Sequence, residues 1–393
     1  MTVYLDHAAS SPLHPEALAA MEDWLRHGFG NPSGSHAVAR RAKEALEEAR
    51  DAVAGWMGVE PAGVTFTSGG TEADNLAVLG ALGFASAAPS GPGSADRGAV
   101  VVSAVEHAAV RRSTEVAAAA GHEVRSLGVG PDGLVDMGQL DLLLDADVAV
   151  VSVQTVNQET GVIQPLAALS RRVRRRSPGA VLHTDAVQAG PWMALPEVSA
   201  VVDLISVSSH KIGGPQGVGA LGGRAGVELR AQIHGGGQER ERRSGTPNVA
   251  GVVGFAAAAR ARARELATLA EQVEARRDRL EKLILEAVPT AVVTAPGVRR
   301  VPGHCHLLFP GVENEALLFL LDARGVCASA GSACASGGVE PSPVLLAMGV
   351  DRQEASSCLR LTLGPSTTDD DVHRAARAVA DAVAVLGVAR VAS

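Results

Sequence analysis

Over its first two thirds the chain alternates short, β-branched apolar runs with stretches of helical spacing, and this alternation restricts the fold more than any other feature. Residues 64–67, 99–105, 148–156, 181–184 and 204–207 each form a run of strand length, with turn residues or helical patterns between them. Strands alternating with helices at this spacing predict an α/β architecture, a mainly parallel sheet with helices on both faces. Such sheets place ligands at the carboxyl ends of their strands. From 251 to 288 the pattern becomes one long helix, with Leu266, Leu269, Val273, Leu280 and Leu283 recurring until Pro289 stops it. A second, smaller α+β unit follows: a strand at 306–309, a helix at 315–323, a small-residue loop, a strand at 359–363 and a final helix. Thr368 and three acids, Asp369, Asp370 and Asp371, announce that last helix as a cap and dipole complement. The expected division is a large domain, 15–255, and a small domain, 256–393, joined by 1–14. Residues 85–98, rich in Ala, Ser, Pro and Gly, read as a surface loop.

The 393 residues suffice for two such units. With 46% hydrophobic and only 3% aromatic residues, the core must be built from Ala, Val and Leu, and a disordered chain, a collagen or a small disulfide scaffold is excluded. The balance of 35 basic against 43 acidic residues, a net charge of -8, argues against general binding to nucleic acid or anionic membrane. The opening MTVYLDHAASSPLHPE lacks the basic and apolar regions of a secretory signal, and no apolar run reaches membrane-spanning length. Four cysteines, Cys305, Cys327, Cys334 and Cys358, form no CxxC pair, as expected of free thiols in a reducing compartment, the cytoplasm.

Only three of the basic residues are lysines. Lys43 and Lys282 lie in charged helical patterns. Lys211 lies in ISVSSHKIGGPQG, where an apolar run meets a glycine turn. An ammonium is strongly hydrated, so this placement points to nucleophilic use, against the alternative of a lysine reaching out to solvent.

Other residues converge on the strand ends. VTFTSGGTEADN reads as strand, glycine turn and helix, and a helix N-terminus with free N–H groups is a phosphate cup; a capped helix explains the same residues equally well. Asp185 closes VLHTD, with Gln188 three residues on, as an acid aimed into the ligand crevice or as a cap for AVQAG. GVGALG at 217–222 matches a dinucleotide fingerprint by letter only, because no helix opens there. Cys334 sits in CASAGSACASGG among residues with nothing to bury, whereas Cys327, ending an apolar run, reads as core. In HCH, His304 and His306 share one face of a strand and Cys305 takes the other, which is poor metal geometry. Arg360, in a strand otherwise fit for burial, requires an anion, either a structural carboxylate or a substrate's. A phosphate cup, a strand-end acid, a strand-end lysine and a buried arginine together suit pyridoxal phosphate and an amino acid.

With these residues in view, the chain resembles the cysteine desulfurases of the NifS/IscS kind, fold-type I pyridoxal-phosphate enzymes of the aminotransferase class V family. YLDHAA, FGNPSGSH, FTSGGTEADN, VEHAAV, VNQETG, HTDAVQ, SSHKIGGPQG, GGGQERERRSGT, GSACAS and LRLTLG carry the likeness, in one order over essentially the whole chain. The resemblance implies an aspartate-aminotransferase-like fold and removal of sulfur from L-cysteine, giving alanine and a persulfide on Cys334. It implies Lys211 as the Schiff-base lysine, Asp185 on the pyridine nitrogen, Gln188 on the ring hydroxyl, and His107 against the ring and in proton traffic. Gly70, Thr71, Ser208 and His210 would hold the phosphate, and Thr246 would reach the phosphate of a neighbouring subunit in a homodimer. Asn157 and Arg360 would grip the substrate carboxylate, with Asn31 nearby. The small-residue loop around GSAC is similar to that of the subgroup whose cysteine travels to a sulfur-acceptor protein. No resident metal is implied; Cys334 as a transient iron–sulfur ligand is left open, as is the acceptor (an iron–sulfur scaffold, a tRNA-thiolation enzyme or another). VNQE in place of VNNE concerns Gln158, outside the named roles, while Pro365 after LG and the short tail bear on partner identity rather than chemistry. The alternatives are a selenocysteine lyase or another fold-type I enzyme acting on a small amino acid, and a non-catalytic sulfur carrier.

Overall fold

The computed structural model describes residues 2–83, 98–331 and 341–391, with side chains to 387. The chain opens with a short strand, β1 (Val3–Tyr4), then helices α1 (Pro15–His27) and α2 (Ala37–Met57). Each helix is capped by a histidine: His14 Nδ1 accepts from Glu16 N–H and His36 Nδ1 from Ala39 N–H. These side chains satisfy N–H groups that the first helical turn cannot pair. Gly58, left-handed at φ 72°, ends α2.

Seven strands follow with their helices: β2 (Val64–Thr67), α3 (Gly70–Ala81), β3 (Ala99–Ser103), α4 (Ala108–Ala119), β4 (Val124–Leu127), α5 (Met137–Leu143), β5 (Val148–Ser152), α6 (Leu166–Arg176), β6 (Val181–Asp185), α7 (Leu195–Ser199), β7 (Leu204–Ser208) and β8 (Gly219–Gly223). They form one sheet in the order β2-β8-β7-β6-β5-β3-β4. The ladders from β7 to β4 are parallel, and β8 is antiparallel to both of its neighbours. Strand β2 therefore runs in the direction of β7, and the turns after β2, β3, β5, β6 and β7 all gather at one end of the sheet.

Helix α8 (Val249–Ala287) is continuous for 39 residues and begins at an Asn248 cap, slightly before the expected start. Its first half packs Val252, Phe255 and Ala259 into the core shared with the large sheet and α2. Its second half packs Leu269, Val273, Leu280 and Ile284 into another core. Leu266 and Leu283, expected on the apolar stripe, are only half-buried, and Ile284 takes the inner position. The second core also holds β9 (Val292–Val293), β10 (His304–Leu308), α9 (Asn314–Ala323), β11 (Val326–Cys327) and β12 (Cys358–Thr362). Two short helices, α10 (Pro343–Ala347) and α11 (Arg352–Ala355), precede β12, and α12 (Asp369–Val391) closes the chain. The three-stranded sheet has the order β12-β10-β9, while β1 pairs in parallel with β11. Among the described residues no helix is long and apolar enough to cross a membrane.

Two expectations need correction. Asp185 caps no helix; its Oδ1 accepts the Val187 N–H at 2.8 Å and shapes a turn. Cys327 is half-buried rather than core, while Cys305 and Cys358 are buried. As expected, no helix opens after GVGALG at 217–222, and its residues from 219 lie in the buried strand β8.

Candidate active site

Gly69 and Gly70 carry the chain from β2 into α3 with Gly69 at φ 157°, a backbone geometry that side chains disfavour. No side chain caps this helix N-terminus. A Cβ on Gly70 would lie 2.7 Å from Val187 Cγ2 and 3.6 Å from Ser208 Cβ, so the turn stands directly against the end of β7. Ser208 Oγ is buried there without a hydrogen-bond partner among the described residues. An uncapped helix N-terminus facing an orphaned hydroxyl fits an anion such as a phosphate. Thr71, in the first turn, is exposed.

The 3-10 turn after β7, Ser209–Lys211, holds the predicted lysine. Lys211 Nζ donates to the carbonyls of Ala8 at 2.5 Å and Ala9 at 2.8 Å. Gln188 Nε2 donates to the same Ala8 carbonyl at 2.8 Å. His210 Nδ1 lies 3.2 Å from Ser10 Oγ, and the His210 carbonyl accepts from Ser11 N–H. Burial, and then the Lys211 charge, lower the His210 pKa to about 4, so the ring is neutral. The segment 8–11 thus lines the site, although its small residues gave no chemical signal in the sequence.

Asp185 and His107 meet beside it. Polar atoms of Asp74, His107 and Asp185 lie within 4.8 Å of one another. His107 caps α4 through Nδ1, which accepts the Ala109 N–H at 3.1 Å. Burial raises the Asp185 pKa, opposed by His107, the Val187 N–H and Lys211. Asp74 is pushed up well above the carboxylate range, by burial first and then by Asp185. His183, whose Nδ1 and Nε2 each lie 2.9 Å from a serine hydroxyl (Ser152 and Ser206), is held neutral by burial at a pKa of about 3. Sequence reading missed Asp74 because an acid within TEADN looks like any polar residue near a helix start.

Arg360 on β12 does find a structural carboxylate. Its Nη2 donates to Asp6 Oδ1 at 2.8 Å, and Nη1 to the carbonyls of Gln158 at 3.0 Å and Gly331 at 3.3 Å. Its buried Nε has no partner among the described residues, leaving one donor for a further acceptor. Asn157, buried, organises its own turn: Oδ1 accepts from Glu159 N–H, Thr160 N–H and Thr160 Oγ1, while Nδ2 donates to the Val105 carbonyl. Asn31 is exposed and accepts the Ser33 N–H. Thr246, also exposed, borders a cleft with Phe66, Thr67, Gly217, Glu239 and Arg243. Cys334 lies outside the described residues.

The site therefore joins an anion cup, a neutral histidine, an amine, a buried acid and an arginine with a spare donor at one sheet end. The aminotransferase class-V family model matches residues 3–375. The chain belongs to that family. Within it, the chain is 41% identical over 385 residues to an "IscS-like cysteine desulfurase" of Mycobacterium tuberculosis, covering 97% of this chain and 96% of the relative. It is 37% identical to "Cysteine desulfurase NifS" of Azotobacter vinelandii, covering 98% and 93%. A solved "NifS-like protein" superposes with a TM-score of 0.89 at 31% identity, covering 98% of this chain and all of that one. These likenesses put the class-V chain among the NifS/IscS-like cysteine desulfurases and give it the fold-type I architecture.

Proposed function

We propose that this class-V protein is a pyridoxal-phosphate-dependent cysteine desulfurase, converting L-cysteine and an enzyme thiol into L-alanine and an enzyme persulfide. The observation that carries the reading is the convergence of Lys211, Asp185 and the Gly70–Ser208 cup at the carboxyl ends of β7, β6 and β2. Bound pyridoxal phosphate supplies an electron sink that weakens bonds at the α-carbon of an amino acid.

The chain's own residues supply the rest. Backbone N–H groups at Gly70 and Thr71, with Ser208 and His210, hold the phosphate. Lys211 anchors the aldehyde carbon and carries the proton leaving the substrate α-carbon. Asp185, whose ionisation His107, the Val187 N–H and Lys211 favour against burial, faces the ring nitrogen, with Gln188 on the ring hydroxyl and His107 against the ring. Arg360 Nε and Asn157 bind the substrate carboxylate, with Asn31 at the rim. Cys334 attacks the substrate sulfur as a thiolate: the C–S bond breaks, an S–S bond forms, and the carbon is protonated to alanine.

A second copy of the chain completes the site through Thr246. Exposed Leu18, Leu25 and Phe29, on and just after α1, supply apolar surface for such a dimer. The same reading divides the chain into 15–255 and 256–393 with 1–14. It sets the protein in the reducing cytoplasm and makes a protein the sulfur acceptor. Lys211→Ala should abolish alanine release from cysteine, measured by amino-acid analysis. Cys334→Ser should keep the bound cofactor's absorbance and lose persulfide transfer; sustained sulfur transfer by that variant would overturn the role of Cys334. Alanine released from selenocysteine but not from cysteine would favour the lyase reading.

A further inference from the structure

Among the described residues, four that carry side chains have positive φ, and three of them are consecutive: Glu239 at 50°, Arg240 at 57° and Glu241 at 64°. Left-handed residues with a Cβ ordinarily occur singly, because each brings that atom against the backbone. The surroundings hold this turn in place. The buried Glu239 carboxylate receives Arg50 Nη1 and Nη2, each at 2.8 Å, and the Phe66 N–H at 2.9 Å. Arg50, equally buried, donates to the Val64 carbonyl at 3.0 Å and to Glu47 at 3.1 Å, with its guanidinium 4.8 Å from the centre of the Phe66 ring. Strand β2 is the edge of the large sheet, so this ion pair takes one carbonyl and one N–H of β2 much as another strand would.

The rest of the segment is tied just as closely. Gln238 Oε1 accepts the Gly245 N–H at 2.9 Å, immediately before Thr246. Arg243 Nε donates to Glu72 Oε1 at 2.9 Å, and Glu72 Oε2 accepts the Ser68 N–H at 2.8 Å. Residues 238–246 are therefore fastened to Phe66, Ser68 and Glu72, on both sides of the glycine turn that forms the phosphate cup. Thr246 itself is left exposed.

We propose that Arg50 and Glu239 are positioning residues acting in trans: by locking the left-handed turn they aim Thr246 at the cofactor phosphate of a second copy, so each subunit's ion pair governs cofactor retention in the other. This rests on the dimer reading given above. A purely structural pair would instead weaken its own subunit's cup, through Phe66.

Hybrid dimers separate the two. Native subunits and Arg50→Met/Glu239→Leu subunits, carrying different affinity tags, are co-expressed and the hybrid is isolated through both. The hybrid is stripped of cofactor, given limiting pyridoxal 5′-phosphate, reduced with borohydride and weighed intact, so that each subunit's label is read separately. The native subunit of the hybrid should carry at least fivefold less label than its variant partner. Loss confined to the variant subunit, or equal labelling, would overturn the proposal. Glu239→Gln, which keeps an acceptor for the Phe66 N–H, should act in the same direction but less strongly, and serves if the double variant does not fold. A Thr246→Ala hybrid tests the underlying reading: loss in its own subunit refutes the dimer-spanning role of Thr246 and this inference with it. Loss in trans for Thr246→Ala, without it for the ion pair, refutes the inference alone.

Discussion

Asp74 and Asp185 share one buried corner with unequal company. Asp185 has His107, the Val187 N–H and the Lys211 amine, each favouring its ionised form, whereas Asp74 has the Ser206 hydroxyl and a neutral His183. Burial opposes ionisation of both, and two close carboxylates cannot both stay charged there. The proton accordingly rests on Asp74. Asp74→Asn, which keeps the shape of a neutral acid, should leave cofactor retention on gel filtration within about twofold. Asp185→Asn should cut alanine formation by on the order of 10²-fold, the scale of losing one fixed electrostatic partner. Equal damage from the two would contradict this division. Asp185 and Lys211 stood out in the sequence because each ends an apolar run, although a helix cap and a lysine reaching to solvent accounted for the same positions. Asp74 could not, since only tertiary packing turns that helical position toward Asp185.

Among elements, β10 shows how a charged neighbour tunes an otherwise apolar strand. Its alternation sends Cys305 and Leu307 into the second core and leaves His304 and His306 on the other face, His306 paired across the ladder with Arg360. His306 Nδ1 meets Thr294 Oγ1 at 2.8 Å, and burial, then Arg360 and Arg300, lower its pKa to about 3. An unfolded histidine takes a proton near pH 6.5, so between pH 6.5 and 3 only the unfolded state binds one at this position. The contribution is complete above pH 6.5 and declines as pH falls, by roughly 1.4 kcal/mol per pH unit. Urea unfolding across this range should show a shallower decline for His306→Gln than for the native chain. Strand β4, VRSL, offered no β-branched run, whereas β3, β5, β6 and β7 were readable from theirs. Strand β8 was not, because GALGG lacks every β-former but remains a strand where neighbours come too close for side chains: a Cβ on Gly219 would lie 2.6 Å from the Gly69 carbonyl carbon.

For the whole molecule, the long helix α8 matters most. The expected domain boundary at residue 255 lies inside α8, and the two cores share this helix without a linker. Calorimetry of the cofactor-free protein should therefore show one cooperative heat-absorption peak; two separable peaks would mean that the cores unfold independently. The periodicity gave the helix its length but could not show that both ends are buried in different places. At about 1.5 Å per residue, α8 is a shaft nearly 60 Å long. Adding one residue to its middle would turn everything downstream by about 100° and advance it by about 1.5 Å. The number of residues in this shaft thus sets the angle at which the second core, with Arg360 on β12, meets the large sheet, as the cut of a key sets its fit.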